Sequence, residues 1–337
     1  MSEAASFIAG GRIVAFPTET VYGLGAHALR PKSVERIFAA KGRPTDNPLI
    51  VHIAYLWQAE YLVREVPEKA KILARSFWPG PLTLVLRKSS LVPDSVTAGL
   101  DTVAVRMPSH PVAHELIRLS GCPIAAPSAN LSGKPSPTTA RHVLRDLYGR
   151  VDGVLDGGAS AVGLESTVID VTDEVPVLLR PGGITREQLE SMVGPILIDP
   201  NLQELKGTAA PRSPGMKYTH YAPSGKVFLV DGEPGKVVAW IRQACSRNQE
   251  EGRKTAILCS KETTNLYEAC PLPFGFIEPL GSKSDLGSVA HNLYSALRRC
   301  DLEGIEMIYL EAYSAKGIGM AVMNRMYKAS GSNLIKV

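Results

Sequence analysis

The sequence predicts an α/β protein with two sheets, a mixed one in its first two thirds and a parallel one in its last third. Three observations carry this. The 337 residues give room for about two domains of roughly 100–200 residues each. Short apolar β-type runs outnumber helical stretches up to about residue 180, and some lie close together, which favours a mixed sheet. Beyond Pro223 strand and helix patterns alternate cleanly, the signature of βαβ units.

Taken in order, a short helix-like stretch at the N-terminus is followed by a strand over Arg12–Phe16 and a turn over Pro17–Gly25. Pro31–Ala40 has helical spacing, with Val34, Ile37 and Phe38 on one face. Apolar strands follow at Leu49–Ile53, Leu82–Leu86, Val103–Met107, Pro123–Ala126, Val154–Leu155, Val168–Val171 and Val177–Leu179. Between them lie helical stretches at Ala70–Phe77, Val112–Leu119 and Ala140–Tyr148, and Thr185-x-x-Gln188 reads as a capping box opening another. From Pro195 to Pro223 five prolines and two glycines interrupt any regular element, so this segment reads as a linker. Its Tyr218, His220 and Tyr221 argue against a mere solvated tether. The last third has strands at Val227–Val230, Thr255–Cys259, Phe274–Ile277 and Met307–Leu310, separated by helices Lys236–Arg247, Leu286–Arg299 and Ala321–Ala329.

With 45% hydrophobic and 21% charged residues the composition is that of an ordinary folded protein. A net charge of +4 is weaker than the footprint of a protein dedicated to long nucleic acids. The five cysteines are odd in number and widely spaced, without a C-x-x-C pair, so they read as reduced buried thiols. No apolar run reaches the roughly 20 residues of a membrane span and no secretory signal is visible, so a cytoplasmic location without membrane contact is expected. A P-loop, a nucleophile elbow and an H-E-x-x-H motif are absent. Gly317-Ile318-Gly319 resembles a dinucleotide fingerprint but lies too near the C-terminus to complete one, and it reads as close helix–sheet packing.

Polar and cationic residues gather instead at strand ends and turns. Lys41-Gly42-Arg43-Pro44 follows a helix; the pair can converge on an anion or simply favour the helix C-terminus. Asn47 precedes a strand, and His52 sits within it as either a core residue or a ligand. Thr102, Ala104 and Arg106 share one strand face, and a buried Arg106 requires an anion, either an internal carboxylate or one on a substrate. Ser128-Ala129-Asn130 follows the strand ending at Ala126, where open α/β sheets present ligand-binding groups. Ser132, Ser136 and Thr138 suit phosphate oxygens or a helix cap. Glu165-Ser166-Thr167 precedes one strand, and Arg180-Pro181-Gly182 ends the next.

In their joint order these pieces resemble the L-threonylcarbamoyladenylate synthase family in its two-domain form. Pro48-Leu49, Ser213-Pro214-Gly215-Met216, His220-Tyr221-Ala222-Pro223 and Met323-Asn324-Arg325 extend the match to nearly the whole chain. The resemblance implies a YrdC-like twisted mixed sheet with an open cavity over 1–195, a linker over 196–224 that closes as a lid, and a smaller Rossmann-like domain over 225–337. It implies that ATP, with Mg2+, bicarbonate and L-threonine give L-threonylcarbamoyladenylate and pyrophosphate. The product would pass to a tRNA threonylcarbamoyl transferase that modifies tRNA position 37, with transient tRNA contact. By carry-over, Thr20, His52, Arg106, Ala126 and Ser166 surround threonine. Arg43, Asn47, Thr102, Ser128, Ser136, Arg180 and Tyr221 hold ATP, and Lys41, Arg43 and Asn130 form the reacting centre. The alternative from another class is a double-stranded RNA or tRNA-binding module without catalysis, against which the modest net charge and lack of interleaved aromatic and basic residues count.

Overall fold

The computed structural model describes residues 1–202, 221–268, 270, 272, 275–331 and 333–337. It divides into two compact units, Met1–Ser132 with Ser136–Tyr218, and Gly133–Pro135 with Thr219–Val337.

The first unit opens with α1 (Ser2–Ala9), β1 (Val14–Phe16), β2 (Gly23–His27), α2 (Pro31–Lys41) and β3 (Ile50–His52). There follow α3 (Leu56–Leu62), α4 (Glu68–Phe77), β4 (Leu82–Arg87), α5 (Asp94–Thr97) and β5 (Thr102–Arg106). It closes with α6 (Pro111–Ser120), β6 (Ile124–Ala126), α7 (Ala140–Leu147), β7 (Gly153–Val154), β8 (Thr167–Asp170), β9 (Val177–Arg180), α8 (Arg186–Val193) and β10 (Leu197–Ile198). Among the described residues the strands form one ten-stranded mixed sheet in the order β10-β9-β8-β4-β5-β3-β6-β2-β1-β7. Parallel pairs such as β3–β5 and β4–β8 sit between antiparallel ones such as β4–β5 and β3–β6.

Local chemistry explains several boundaries. Pro31 occupies the first turn of α2, where its missing N–H costs nothing, and Gly42 ends the helix at φ 59°. Thr185 and Gln188 cap α8 reciprocally: Gln188 N donates to Thr185 Oγ1, and Thr185 N donates to Gln188 Oε1. One large core cluster joins α1 and α6 to the sheet through Ile8, Leu116, Ile117, Phe16 and Ile124. A second, comprising Ile50, Val85, Ala104, Val168 and Leu179, is built from strand residues alone.

Four elements of this unit depart from the sequence reading, the short helix α5 among them. Gly23–His27, expected within and beyond a turn, is a strand paired antiparallel to β1, with Val14 opposite Gly25 and Phe16 opposite Gly23. Glycines carry no β-pattern, so pairing with β1 and β6 decides this segment. Helix α3 lacks a Ser, Thr, Asp or Asn cap; Gln58 Oε1 instead accepts from Ala54 N and Tyr55 N. β10 falls where only an irregular linker was read, as two residues parallel to β9. Ser213–Met216, Tyr218 and His220 lie outside the described residues, as does Phe274 at the start of one expected strand.

The second unit has β11 (Lys226–Asp231), α9 (Pro234–Glu250), β12 (Thr255–Ser260), α10 (Thr264–Tyr267), β13 (Phe276–Gly281), α11 (Leu286–Glu303), β14 (Met307–Glu311), α12 (Gly319–Ser330) and β15 (Leu334–Lys336). Its sheet, β13-β12-β14-β11-β15, is parallel throughout, as alternation predicts. A Cβ on Gly319 would lie 1.9 Å from the Ser314 carbonyl oxygen and 2.7 Å from Leu286 Cδ1, so this glycine serves close packing against a loop and α11. All five cysteines are buried, and burial pushes the thiols of Cys245, Cys259 and Cys300 up to about 12. Among the described residues no helix is long and apolar enough to cross a membrane.

Candidate active site

Sheet register gathers the first group of site residues. In the parallel β3–β5 ladder His52 is opposite Arg106, and in the antiparallel β4–β5 ladder Arg106 is opposite Thr83. Across β3–β6, Ile50 faces Ala126 and His52 faces Ile124. Opposed residues point to the same face, so Thr83, Arg106, His52 and Ala126 line one side of four neighbouring strands. Thr20 reaches the same point from the loop before β2, where its Oγ1 accepts from Arg106 Nη1 at 2.9 Å. Ser166 joins from the start of β8, with its Oγ 2.8 Å from Thr83 Oγ1 and 3.1 Å from Arg180 Nη2. The whole proposed threonine set is therefore contiguous, and all of it is buried.

Arg106 finds its anion inside the protein. Glu19 Oε1 lies 2.7 Å from Arg106 Nη2, with both side chains almost wholly buried. Arg106 Nε donates to the Gly80 carbonyl, and Ser109 N donates to Glu19 Oε2. Hydrogen bonds engage two of the five guanidinium N–H donors, one each on Nε and Nη1, and Nη2 is ion-paired with Glu19 without an aligned hydrogen bond, so both Nη atoms keep N–H groups for an incoming carboxylate. Burial would raise the Glu19 carboxyl, but the charge and hydrogen bond of Arg106 outweigh it and hold Glu19 below its ordinary range. His52 is driven the other way: burial first, then the Arg106 charge, lower its imidazole to about 3. It is a neutral ring at physiological pH, edge-on to Phe16, and its Nδ1 has no hydrogen-bond partner among the described residues.

The second group surrounds the loop after β6. Lys41, the last residue of α2, is buried and donates through Nζ to the carbonyls of Ser128 and Asn130. Ser132 N returns a bond to the Lys41 carbonyl, and Ser128 Oγ donates to Asn130 Oδ1. Buried rather than solvated at its helix end, Lys41 ties the Ser128–Asn130 loop to α2. Arg43 Nη2 donates to the carbonyls of Asn47 and Pro48 at 3.4 and 3.3 Å. Asn47 is fully buried, and neither polar atom of its carboxamide has a hydrogen-bond partner among the described residues. Thr102 lines a small cleft with Pro48, Val85, Thr97, Leu100 and Ala104, and Thr102, Ala104 and Val85 lie on the same face of the sheet as Arg106.

Glu165 and Ser166 connect the two groups. Ser136 Oγ donates to Glu165 Oε1 at 2.5 Å, and Arg180 Nε donates to the Ser166 carbonyl at 3.0 Å. Gly182 makes this approach possible, since a Cβ there would stand 2.3 Å from Thr167 N and 2.5 Å from the Glu165 oxygen. Tyr221 belongs to the second unit, with φ +71°, its ring stacked on Tyr294 at 5.3 Å and 5.6 Å from the Arg325 guanidinium.

A family model described as "Telomere recombination" matches residues 6–182, and one described as "Threonylcarbamoyl-AMP synthase, C-terminal domain" matches residues 184–331. The threonylcarbamoyl-AMP synthase of Pyrococcus abyssi is 52% identical over 99% of this chain and 95% of its own length. The chain belongs to the threonylcarbamoyl-AMP synthase family. The Bacillus subtilis member is 49% identical, covering 100% of this chain and 94% of its own. The crystal structure of P. abyssi Sua5 complexed with L-threonine is 51% identical and matches with a TM-score of 0.93, covering 100% of this chain and 95% of that one. Membership of this family makes the chain an adenylate-forming enzyme and sets aside the non-catalytic RNA-binding reading.

Glu19, Thr83 and Thr18 have no role in the sequence reading. For Glu19 a signal existed: a strand Arg buried among apolar residues demands an internal acid or a substrate, and Glu19 stands in the Pro17–Gly25 motif.

Proposed function

We propose that the enzyme makes L-threonylcarbamoyladenylate and pyrophosphate from L-threonine, bicarbonate or CO2, and ATP. The observation that supports it best is the single buried face carrying Arg106, Thr20, His52, Ala126 and Ser166. A zwitterionic amino acid with a short side chain suits it. The remaining N–H groups on the two Arg106 Nη atoms match its carboxylate, and Ala126 leaves space for a methyl group.

The chemistry asks for positioning more than for a strong acid or base. The α-amine, with a reference value of roughly 8, is mostly protonated at pH 7 and must lose a proton before its nitrogen bonds to the carbon of CO2, giving a carbamate and a second proton, or to that of bicarbonate, whose C–O bond breaks as water leaves. A neutral His52 beside it adds no positive charge and so does not oppose the ammonium's approach. One carbamate oxygen then attacks the α-phosphorus of ATP, the bond to the bridging oxygen breaks, and pyrophosphate leaves in line. Arg43, Arg180 and Lys41 supply cations on the nucleotide side, with Asn47, Thr102, Ser128, Ser136 and Asn130 as its polar companions. Carbamates hydrolyse readily, so a buried site protects the intermediate.

Magnesium fits as the counter-ion of the triphosphate, a part of the substrate. Two carboxylates beside these residues, Glu19 and Glu165, are engaged by Arg106 and Ser136. The product is proposed to pass to a tRNA threonylcarbamoyl transferase in the cytoplasm, for tRNA position 37. Incubation with ATP, magnesium, L-threonine and bicarbonate should release pyrophosphate and a mixed anhydride in equal amounts. Pyrophosphate release at the same rate without threonine would overturn the proposal.

A further inference from the structure

The Pro17–Val21 loop holds a chain of hydrogen bonds whose direction can be worked out donor by donor. Thr18 Oγ1 lies 2.6 Å from the Val21 carbonyl and 2.8 Å from Thr20 Oγ1, and Thr20 Oγ1 lies 2.9 Å from Arg106 Nη1. A carbonyl only accepts and a guanidinium only donates, so both ends of the chain are fixed. Val21 is buried, and its carbonyl would lose its short partner if the Thr18 proton turned elsewhere. The Thr18 proton therefore goes to Val21, and in the Thr18–Thr20 contact Thr20 is the donor. The chain reads Arg106 N–H to Thr20, Thr20 O–H to Thr18, Thr18 O–H to Val21.

Thr20 Oγ1 is consequently locked as an acceptor, with one lone pair taken by Arg106 and one left over. We infer that Thr18 is a positioning residue for the amino-acid substrate: it fixes the Thr20 hydroxyl so that its remaining lone pair receives a donor, the ammonium or hydroxyl group, of threonine. This rests on the assignment of Thr20 to the threonine site. Thr18 is itself buried, its second lone pair shared by the Thr20 and Val21 amides at 3.2 and 3.3 Å, and it acts only through its neighbour. Without it, Thr20 can rotate and offer its proton to the substrate's own donor, a repulsive contact.

The test is steady-state kinetics of Thr18→Val and Thr18→Ser with threonine and ATP varied separately. Thr18→Val is expected to raise the threonine KM about tenfold, or about 1.4 kcal/mol, with the ATP KM unchanged. Thr18→Ser, which keeps the hydroxyl, should stay near wild type. If Thr18→Val does not fold, Thr18→Cys, a weak donor and acceptor, serves in the same comparison. An unchanged threonine KM, a parallel rise in both KM values, or a Thr18→Ser enzyme no better than Thr18→Val would overturn the inference. Wild-type turnover that ignores threonine would instead overturn the proposed function.

Discussion

Removing Arg106 should damage the fold as much as the site. Arg106→Ala strands Glu19, whose side chain is 10% exposed and keeps only the Ser109 amide after losing a 2.7 Å ion pair. Breaking one side of a buried pair costs about 3–5 kcal/mol, against a total stability of about 5–15 kcal/mol. The penalty should also depend on pH, and the sign follows from both neighbours. In the wild type, Glu19 sits below its ordinary value, so its contribution is full above the ordinary carboxylate range and lost as pH falls through the folded value. In Arg106→Ala burial, the largest influence, is opposed only by backbone hydrogen bonds and raises it, so the variant is worst at alkaline pH and recovers as Glu19 takes up a proton. His52 moves the same way. Held at about 3 by burial and Arg106, it costs wild-type stability as pH falls from about 6.5, by up to about 1.4 kcal/mol per unit. Removing Arg106 relieves part of that. Urea unfolding at pH 8 and pH 5, followed by Trp57 and Trp78 of the first unit, should therefore show a larger gap between variant and wild type at pH 8. A gap below about 1 kcal/mol, or one equal at both values, would refute the reasoning. The double variant Glu19→Gln/Arg106→Ala should recover part of the loss.

Other perturbations separate fold from chemistry. Gly182→Ala, which drives a methyl group into the Thr167 amide, should destabilise by about 1–3 kcal/mol in urea titration and lower turnover by loosening Arg180 against Ser166. Thr185→Ala removes the α8 cap and should cost about 1 kcal/mol in the same titration, with kcat and both KM values unchanged. Lys41→Met should lower kcat by about a hundredfold or more, because the Ser128–Asn130 loop loses its anchor and the site a cation; calorimetric threonine affinity should hardly change.

Much of the architecture was legible because the apolar patterns are clear. The alternation after Pro223 foretold the parallel sheet, and Thr185-x-x-Gln188 foretold a capping box that the side chains complete. What escaped depends on contacts distant in sequence. Gly23–His27 has no β-pattern of its own and becomes a strand because β1 and β6 flank it. For Lys41 local sequence offered a helix-end charge or an anion site; the partner it meets, a pair of carbonyls 87 and 89 residues away, is set by tertiary structure. Arg106 was correctly read as needing an anion, but which anion was settled only when the Pro17–Val21 loop brought Glu19 against β5.

The central claim is that a carbamate of threonine, and not its carboxylate, is joined to AMP. Incubation with 14C-bicarbonate, α-32P-labelled ATP and threonine should give one acid-labile product carrying both labels in equal amounts, formed only when threonine is present. A 32P-labelled threonine adduct that contains no 14C, and forms equally well without bicarbonate, would contradict it.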